Sequence, residues 1–252
     1  MASVETLPVL LKELKLTGFI QQWQTLAQKA QEEQWLPEQY LALLCEEEVS
    51  QRYHRRLQRY TREAQLPPGK PLSQFDFKAV EGITQAHITA LVTQPQWVRQ
   101  AGNLLLFGPS GVGKTHLAAG IAYGLLEQGI RVRFVTATHL VQTLQQAREA
   151  LELPDMLARL DKYAVLVVDD IGYVKKSDQE TQALFELIAH RYETGSMMIT
   201  SNQPFSEWNQ IFGDSMMTVA AIDRLVHHAT LLEIEAESYR KKASMNRRKA
   251  MK

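Results

Sequence analysis

Eight consecutive residues carry the clearest chemistry in this chain: Gly108-Pro109-Ser110-Gly111-Val112-Gly113-Lys114-Thr115. They follow the apolar run Leu104–Phe107 and precede the helix-like His116–Leu126. The pattern G-x-x-x-x-G-K-[ST] therefore stands between a strand and a helix, the context a phosphate-binding loop needs. Glycines let the backbone curl so that successive N–H groups face phosphate oxygens, and the following helix adds the positive end of its dipole. Lys114 is expected to reach the β- and γ-phosphates, and the Thr115 hydroxyl to ligate Mg²⁺. A Gly-rich turn with a chance lysine is the competing reading. The flanking pattern favours a nucleoside triphosphate.

Three further stretches add to it. Val165-Leu166-Val167-Val168-Asp169-Asp170 is a buried-strand run ending in two carboxylates. Asp169 at the strand tip can hold Mg²⁺, through water because Mg²⁺ keeps several of its waters, and Asp170 can orient or polarise the attacking water. An acidic turn opening a loop is the alternative. Met198-Ile199-Thr200-Ser201-Asn202 ends an apolar run in an amide. On a strand beside the phosphate loop, Asn202 would reach the γ-phosphate or the water; otherwise it is a turn residue before Gln203-Pro204. Arg224, in Ala221-Ile222-Asp223-Arg224-Leu225-Val226, lies on an amphipathic helix. It reads either as a surface or salt-bridged arginine or as one supplied to a neighbouring subunit's γ-phosphate.

The elements that must position these groups alternate in type. Asn103–Phe107, Arg131–Thr136, Ala164–Asp169, Met197–Ser201 and Thr230–Ile234 are apolar runs of the length expected for buried parallel strands. Helical stretches separate them, which predicts an α/β fold with a five-stranded parallel sheet between helices. Ligands in such sheets bind at the carboxyl ends of the strands, where the loop falls. A small all-helical domain is expected to precede it over residues 1–66, from Leu7, Leu10, Leu11 and Leu14, then Phe19, Ile20, Trp23, Leu26, Ala27 and Ala30 at helical spacing. Gly18 separates these two helices, and Pro37 suits the first turn of a third. That helix runs to about Ala64, where Leu66-Pro67-Pro68-Gly69 breaks it. Residues 67–74 read as a linker, 75–239 as the nucleotide-binding domain and 240–252 as a basic tail.

Charge is unevenly laid out although its formal sum is zero. Residues 71–239 carry twelve Lys/Arg against nineteen Asp/Glu, whereas 240–252 carry seven Lys/Arg and no acid. Such asymmetry points to a polyanion touched locally. Arg52, Arg55, Arg56, Arg59 and Arg62 form one stripe on the third helix, with Tyr53, Leu57 and Tyr60 on another face. The stripe reads equally as phosphate-backbone contacts or as a solvated face tied to Glu46–Glu48. No apolar run approaches the ~18–20 residues that span a bilayer, and no signal-peptide pattern opens the chain. Cys45 is the single cysteine, so no intrachain disulfide forms, and its apolar helical setting predicts a buried inert thiol. A reducing, cytosolic compartment is expected.

The four signals in this order resemble the AAA+ ATPases of the DnaC/IstB clade, and among them the IstB-like helper ATPases of insertion sequences. The resemblance runs over Leu14-Lys15-Leu16 to Tyr53-His54-Arg55-Arg56, Phe75-Asp76-Phe77, Gly108–Leu117, Val168-Asp169-Asp170-Ile171-Gly172-Tyr173, Ile199–Phe205, Asp223-Arg224-Leu225 and Ser238-Tyr239-Arg240. It implies that Asn202 is the sensor-1 residue and Arg224 the arginine finger acting in trans, and that Arg240 is a second nucleotide-sensing arginine. Ala137–Asp161 matches an extra helix that faces nucleic acid in this clade, which makes Arg148 a candidate contact; a solvated face is the other reading. Most AAA+ ATPases end the metal-binding strand in Asp-Glu; Asp169-Asp170 implies slow basal hydrolysis, stimulated by assembly on DNA. The resemblance further implies ATP and Mg²⁺ as ligands, a homo-oligomer with ATP at subunit interfaces, double-stranded DNA, and an IstA-like partner transposase. Lys241, Lys242, Arg247 and Arg248 in the tail suit phosphate contacts, each worth about 0.9 log units of affinity per log unit of salt; a disordered solubilising tail is the alternative. No base-reading motif is visible, so sequence-tolerant binding is expected. Competing functions are a DnaC-like replicative helicase loader, a small-molecule P-loop kinase and an ATP-bound scaffold that hydrolyses little.

Overall fold

A computed structural model describes residues 4–173, 178–208, 211 and 215–236. The chain divides into two compact units, residues 1–59 and 60–252. Helices α1 (Leu7–Glu13) and α2 (Thr17–Glu32) of the first precede α3 (Pro37–Ala64), whose residues from Tyr60 on belong to the second. At Gly18, α2 comes close to α3: a Cβ there would stand 2.8 Å from the Glu48 Cα. The Gly18 N–H instead donates to Glu48 Oε2 at 2.5 Å, and Glu48 is 4% exposed. This contact fixes which face of α3 is inside. Leu44 is buried, while Leu41, Cys45 and Val49 lie outside. The expectation of a buried thiol at Cys45 is therefore corrected. An apolar neighbourhood in sequence says nothing about the 100° that separates Cys45 from Leu44 around the helix.

The second unit is built on five parallel strands: β1 (Asn103–Phe107), β2 (Val132–Thr136), β3 (Val165–Asp169), β4 (Ser196–Ser201) and β5 (Ala229–Glu233). Their order is β2-β3-β4-β1-β5. Nearly every residue of β1, β3 and β4 is buried, as continuous apolar runs between two helical layers require. Leu105, Leu166, Val168, Met197 and Ile199 join the core shared with α7 (Ala137–Glu149), α8 (Leu153–Asp161), α9 (Asp178–Arg191) and α10 (Ser215–Val226). Alternate residues, Leu104, Leu106, Val165, Val167 and Met198, are fully buried outside that cluster, on the face where α6 (Lys114–Glu127) packs. Helix α6 is in turn covered by α4 (Gln85–Thr93), whose Val92 fills the space a side chain at Gly124 would take. Short α5 (Gln96–Arg99) leads into β1.

The α/β class, the five strands and the helices ahead of them are as the sequence predicts. Strand boundaries fall within one residue of expectation, and α3 has the predicted ends. The Ala137–Asp161 insertion is two helices, α7 and α8, broken at Ala150–Glu152, where Leu151 takes φ 60°.

Candidate nucleotide site

The loop between β1 and α6 is shaped by close backbone approaches. At Gly108 (φ 147°) a Cβ would collide with the Ile234 carbonyl oxygen beyond β5. At Gly113 (φ 104°), which caps α6, a Cβ would lie 2.9 Å from the Phe75 ring. Val112, 4% exposed, pins the loop from within. Lys114 is itself buried, and its Nζ donates to the Gly108 and Pro109 carbonyls at 2.7 and 2.8 Å. The ammonium therefore lies inside the loop's curl, where it is paired with peptide dipoles. Burial without such partners would cost several kcal/mol, about 5.

Asp169 closes β3 and is 6% exposed. Its two oxygens are bridged to neighbouring elements: Thr115 Oγ1 donates to Oδ2 at 3.1 Å, and Thr200 Oγ1 donates to Oδ1 at 2.8 Å. The Thr200 hydroxyl also accepts the Asp170 N–H at 2.8 Å. This contact holds Asp170 at φ 59°, a left-handed conformation that aspartate tolerates better than most residues. One hydroxyl thus holds the Asp169 carboxylate and the Asp170 backbone. Burial pushes the Asp169 carboxyl above its usual range, and the neighbouring Asp170 pushes in the same direction; the two hydroxyls and the Lys70 charge pull down without cancelling the rise. A buried carboxylate short of positive charge, touching a hydroxyl, is an oxygen donor set that fits a hard divalent cation such as Mg²⁺.

Thr200 was not singled out by its sequence, since a threonine in a strand reads as β-propensity alone. Thr200→Val keeps the shape and removes the hydroxyl. It leaves the Asp170 N–H without its acceptor and is expected to cost about 1–3 kcal/mol in stability and to lower ATP turnover. Denaturant melts and ATPase assays of the variant check this; wild-type values for both would deny the hydroxyl its role.

Asn202 follows β4, which lies between β3 and β1, with Thr200 opposite Leu106 and Ser201 opposite Phe107. The strand order thus carries Asn202 to the edge of the phosphate loop. Its Oδ1, like Gln203 Oε1, is buried with no hydrogen-bond partner among the described residues, and a Cβ on Gly172 would lie 2.6 Å from it. Arg224, on α10, forms no hydrogen bond or ion pair with Lys114, Thr115, Asp169 or Asn202. Its guanidinium lies 5.2 Å over the Phe185 ring of α9 and donates to the Ala220 carbonyl at 2.8 Å.

The other described candidates have partners of their own. Arg148 is 3.3 Å from Glu186. Arg52 and Arg55 both face Glu48, at 2.6 and 3.7 Å, and Arg56 lies over Tyr53 at 5.8 Å. Arg59 has interactions of its own on the same helix. Arg240, Lys241, Lys242, Arg247 and Arg248 lie outside the described residues. Conversely, Lys70 enters unannounced. The segment around it runs along α6: Tyr123 Oη approaches the Pro67 carbonyl at 3.5 Å, Leu72 packs on Gly120, His116 Nε2 meets the Pro71 carbonyl at 3.0 Å, and Phe75 meets Gly113. This course brings the Lys70 charge to Asp169. A lysine after Pro-Pro-Gly reads as linker, so no sequence signal marks it.

A parallel α/β sheet with a glycine loop before α6, and a buried aspartate touching Thr115, defines a nucleotide-binding protein of the phosphate-loop class. Comparison with known proteins agrees. Residues 9–247 match the family model described as IstB-like ATP binding protein. The chain is 47% identical over 239 residues, 95% of its length and 80% of the relative's, to a putative insertion sequence ATP-binding protein of Sinorhizobium fredii. It is 35% identical to the insertion sequence IS21 putative ATP-binding protein of Pseudomonas aeruginosa, covering 94% of this chain and 89% of that one. Among solved structures it is similar in fold to DnaI (TM-score 0.53, 22% identity, 66% of this chain and 90% of that one). AMPPCP-bound DnaA from Aquifex aeolicus is similar as well (TM-score 0.53, 17% identity, 74% and 56%). The chain belongs to the IstB-like ATP-binding family of insertion sequences.

Proposed function

We propose that this protein is a DNA-binding ATPase that assembles with ATP on double-stranded target DNA and directs a partner transposase. The observation that carries the proposal is the Thr115–Asp169–Thr200–Asp170 chain of hydrogen bonds beside the phosphate loop, in a chain whose relatives belong to insertion sequences. In this reading the N–H groups of Gly108–Thr115 and the Lys114 ammonium bind the triphosphate. Thr115 and Asp169 would hold Mg²⁺, which supplies charge neutralisation on the phosphates. Asp170 orients the attacking water, and its carboxylate stands one methylene short of a glutamate in that place, so hydrolysis is slow. Asn202 positions the water or the γ-phosphate.

Arg224 acts on the nucleotide of a neighbouring subunit, consistent with its lack of contact to the site of its own chain. Arg240 is assigned a weaker nucleotide contact, and Arg52, Arg55, Arg56, Arg59, Arg148 and the basic tail are assigned to DNA. Residues 1–66 form the DNA- or partner-binding module, 75–239 the ATPase domain.

Duplex DNA binding measured with ATP, ADP and a non-hydrolysable analogue tests the reading. Wild type is expected to bind and oligomerise with ATP or the analogue and to release with ADP. Arg224→Ala is expected to bind nucleotide normally and to lose DNA-stimulated turnover by roughly a hundredfold. DNA binding indifferent to the nucleotide would remove the switch, and normal turnover in the variant would remove the finger. Capture of a replicative helicase and of no transposase would replace the transposition role by helicase loading.

A further inference from the structure

The amino end of the sheet, opposite the phosphate loop, carries a side-chain group that the nucleotide reaction does not use. Helix α9 stops at Arg191 and is followed by Tyr192-Glu193; α10 stops at Val226 and is followed by His227-His228, which lead into β5. The turns before β4 and β5 open on this same end, since both strands run parallel to β1. One ligand atom from each of Glu193, His227 and His228 lies within 4.8 Å of the other two, and all three residues are exposed. The two imidazole rings are 4.1 Å apart.

The surroundings orient one of the imidazoles. Tyr192 Oη is 2.9 Å from His227 Nδ1, and the Tyr192 hydroxyl is also hydrogen-bonded to Glu193. With the proton of His227 on Nδ1, donated to Tyr192 Oη, the lone pair on Nε2 is left for a ligand. A second group holding the far nitrogen is the usual way a metal-binding histidine is fixed.

We propose that Glu193, His227 and His228 bind a borderline divalent cation, Zn²⁺ by preference, with water completing a tetrahedral set. Two imidazoles and one carboxylate are Zn²⁺ ligands; Mg²⁺ and Ca²⁺ prefer all-oxygen sites. The bound ion links the end of α9 to the end of α10. Arg224 lies one turn before His227 on α10 and rests on Phe185 of α9. The ion therefore clamps together the two helices that position this arginine, far from the phosphates.

Zn²⁺ titration of the full-length, tag-free, nucleotide-free protein tests the site, with Co²⁺ as a spectroscopic substitute. Wild type is expected to take up one Zn²⁺ per chain, to show the intense visible bands of tetrahedral Co²⁺, and to melt higher with Zn²⁺. His228→Ala and Glu193→Gln each lose about tenfold or more in affinity together with the melting shift, whereas His190→Ala, which alters the separate His190–Asp161 pair, keeps both. Melts in chelator establish that the variants fold, and because two independent ligands are varied, either one suffices. Unchanged Zn²⁺ affinity in a folded His228 or Glu193 variant, or only weak octahedral Co²⁺ absorption in wild type, overturns the proposal. Both readouts are metal uptake and melting of nucleotide-free protein, so their failure is distinguishable from failure of the proposed function.

Discussion

Asp169→Asn is expected to melt higher than wild type at neutral pH and yet to lose ATP turnover by roughly a hundredfold or more. Both effects come from one buried carboxylate. Its folded pKa lies above the ordinary value because burial, first, and Asp170, second, disfavour the charge. A carboxyl with a raised pKa contributes its stability below its unfolded value, near 3.9 for aspartate, and loses it as pH rises through the folded value. Above that interval the native state carries an unfavourable charge that the amide lacks. Asparagine also keeps the hydrogen bonds, because one of the Thr115 and Thr200 hydroxyls can go on donating to the amide oxygen while the other turns to accept from the amide nitrogen. The gain in melting temperature should therefore grow from about pH 4 towards neutrality and vanish in acid. Thermal melts of both proteins across that range, without nucleotide or divalent cations, check the sign. A variant that melts lower at neutral pH would show that the charge is compensated after all. ATPase assays on the same preparations check the second effect.

Arg191→Met is the largest stability effect to expect, and it is remote from the chemistry. The Arg191 side chain is 2% exposed and donates to the carbonyls of Leu160, Tyr163, Ala164 and Ser196 at 3.3, 3.0, 3.2 and 3.0 Å. It ties the end of α8 to the first turns of β3 and β4. Burial lowers its pKa to about 10, with Asp161 pulling the other way, so it remains charged at neutral pH. Methionine fills similar volume and satisfies none of the four oxygens. With unsatisfied buried acceptors costing about 1–3 kcal/mol each and some admitting water, a loss of about 3–5 kcal/mol follows. In a unit of this size that lowers Tm by roughly 10 °C. Calorimetry measures it directly, and a shift of a degree or less would mean that the carbonyls find water without strain.

Local patterns carried the frame of this protein. The ends of β1 are legible because Gly102 and Gly108 bracket Asn103 and four apolar residues, and those of α3 because Pro37 starts it and Leu66-Pro67-Pro68-Gly69 follows. The phosphate loop and Asp169 are legible because each needs only its own strand. What the sequence hides are partners brought together by the sheet. Thr200 and Asp169 are 31 residues apart and meet only because β3 and β4 are neighbours. Arg191 reaches carbonyls 27 to 31 residues upstream, so in the chain it resembles any basic residue in a last helical turn. Cys45 failed for the opposite reason: its neighbours in sequence are apolar, but the buried Glu48–Gly18 contact rotates α3 so that Leu44 faces inward.

The lysine inside its own loop has a consequence for binding. Lys114 Nζ donates to two peptide oxygens, so the ammonium can turn to a phosphate only by giving up the Gly108 and Pro109 carbonyls. The loop is thus held in shape by its own lysine. Binding of ATP is then a contest between phosphate and peptide oxygens for one cation, and the greater negative charge on the phosphates favours them.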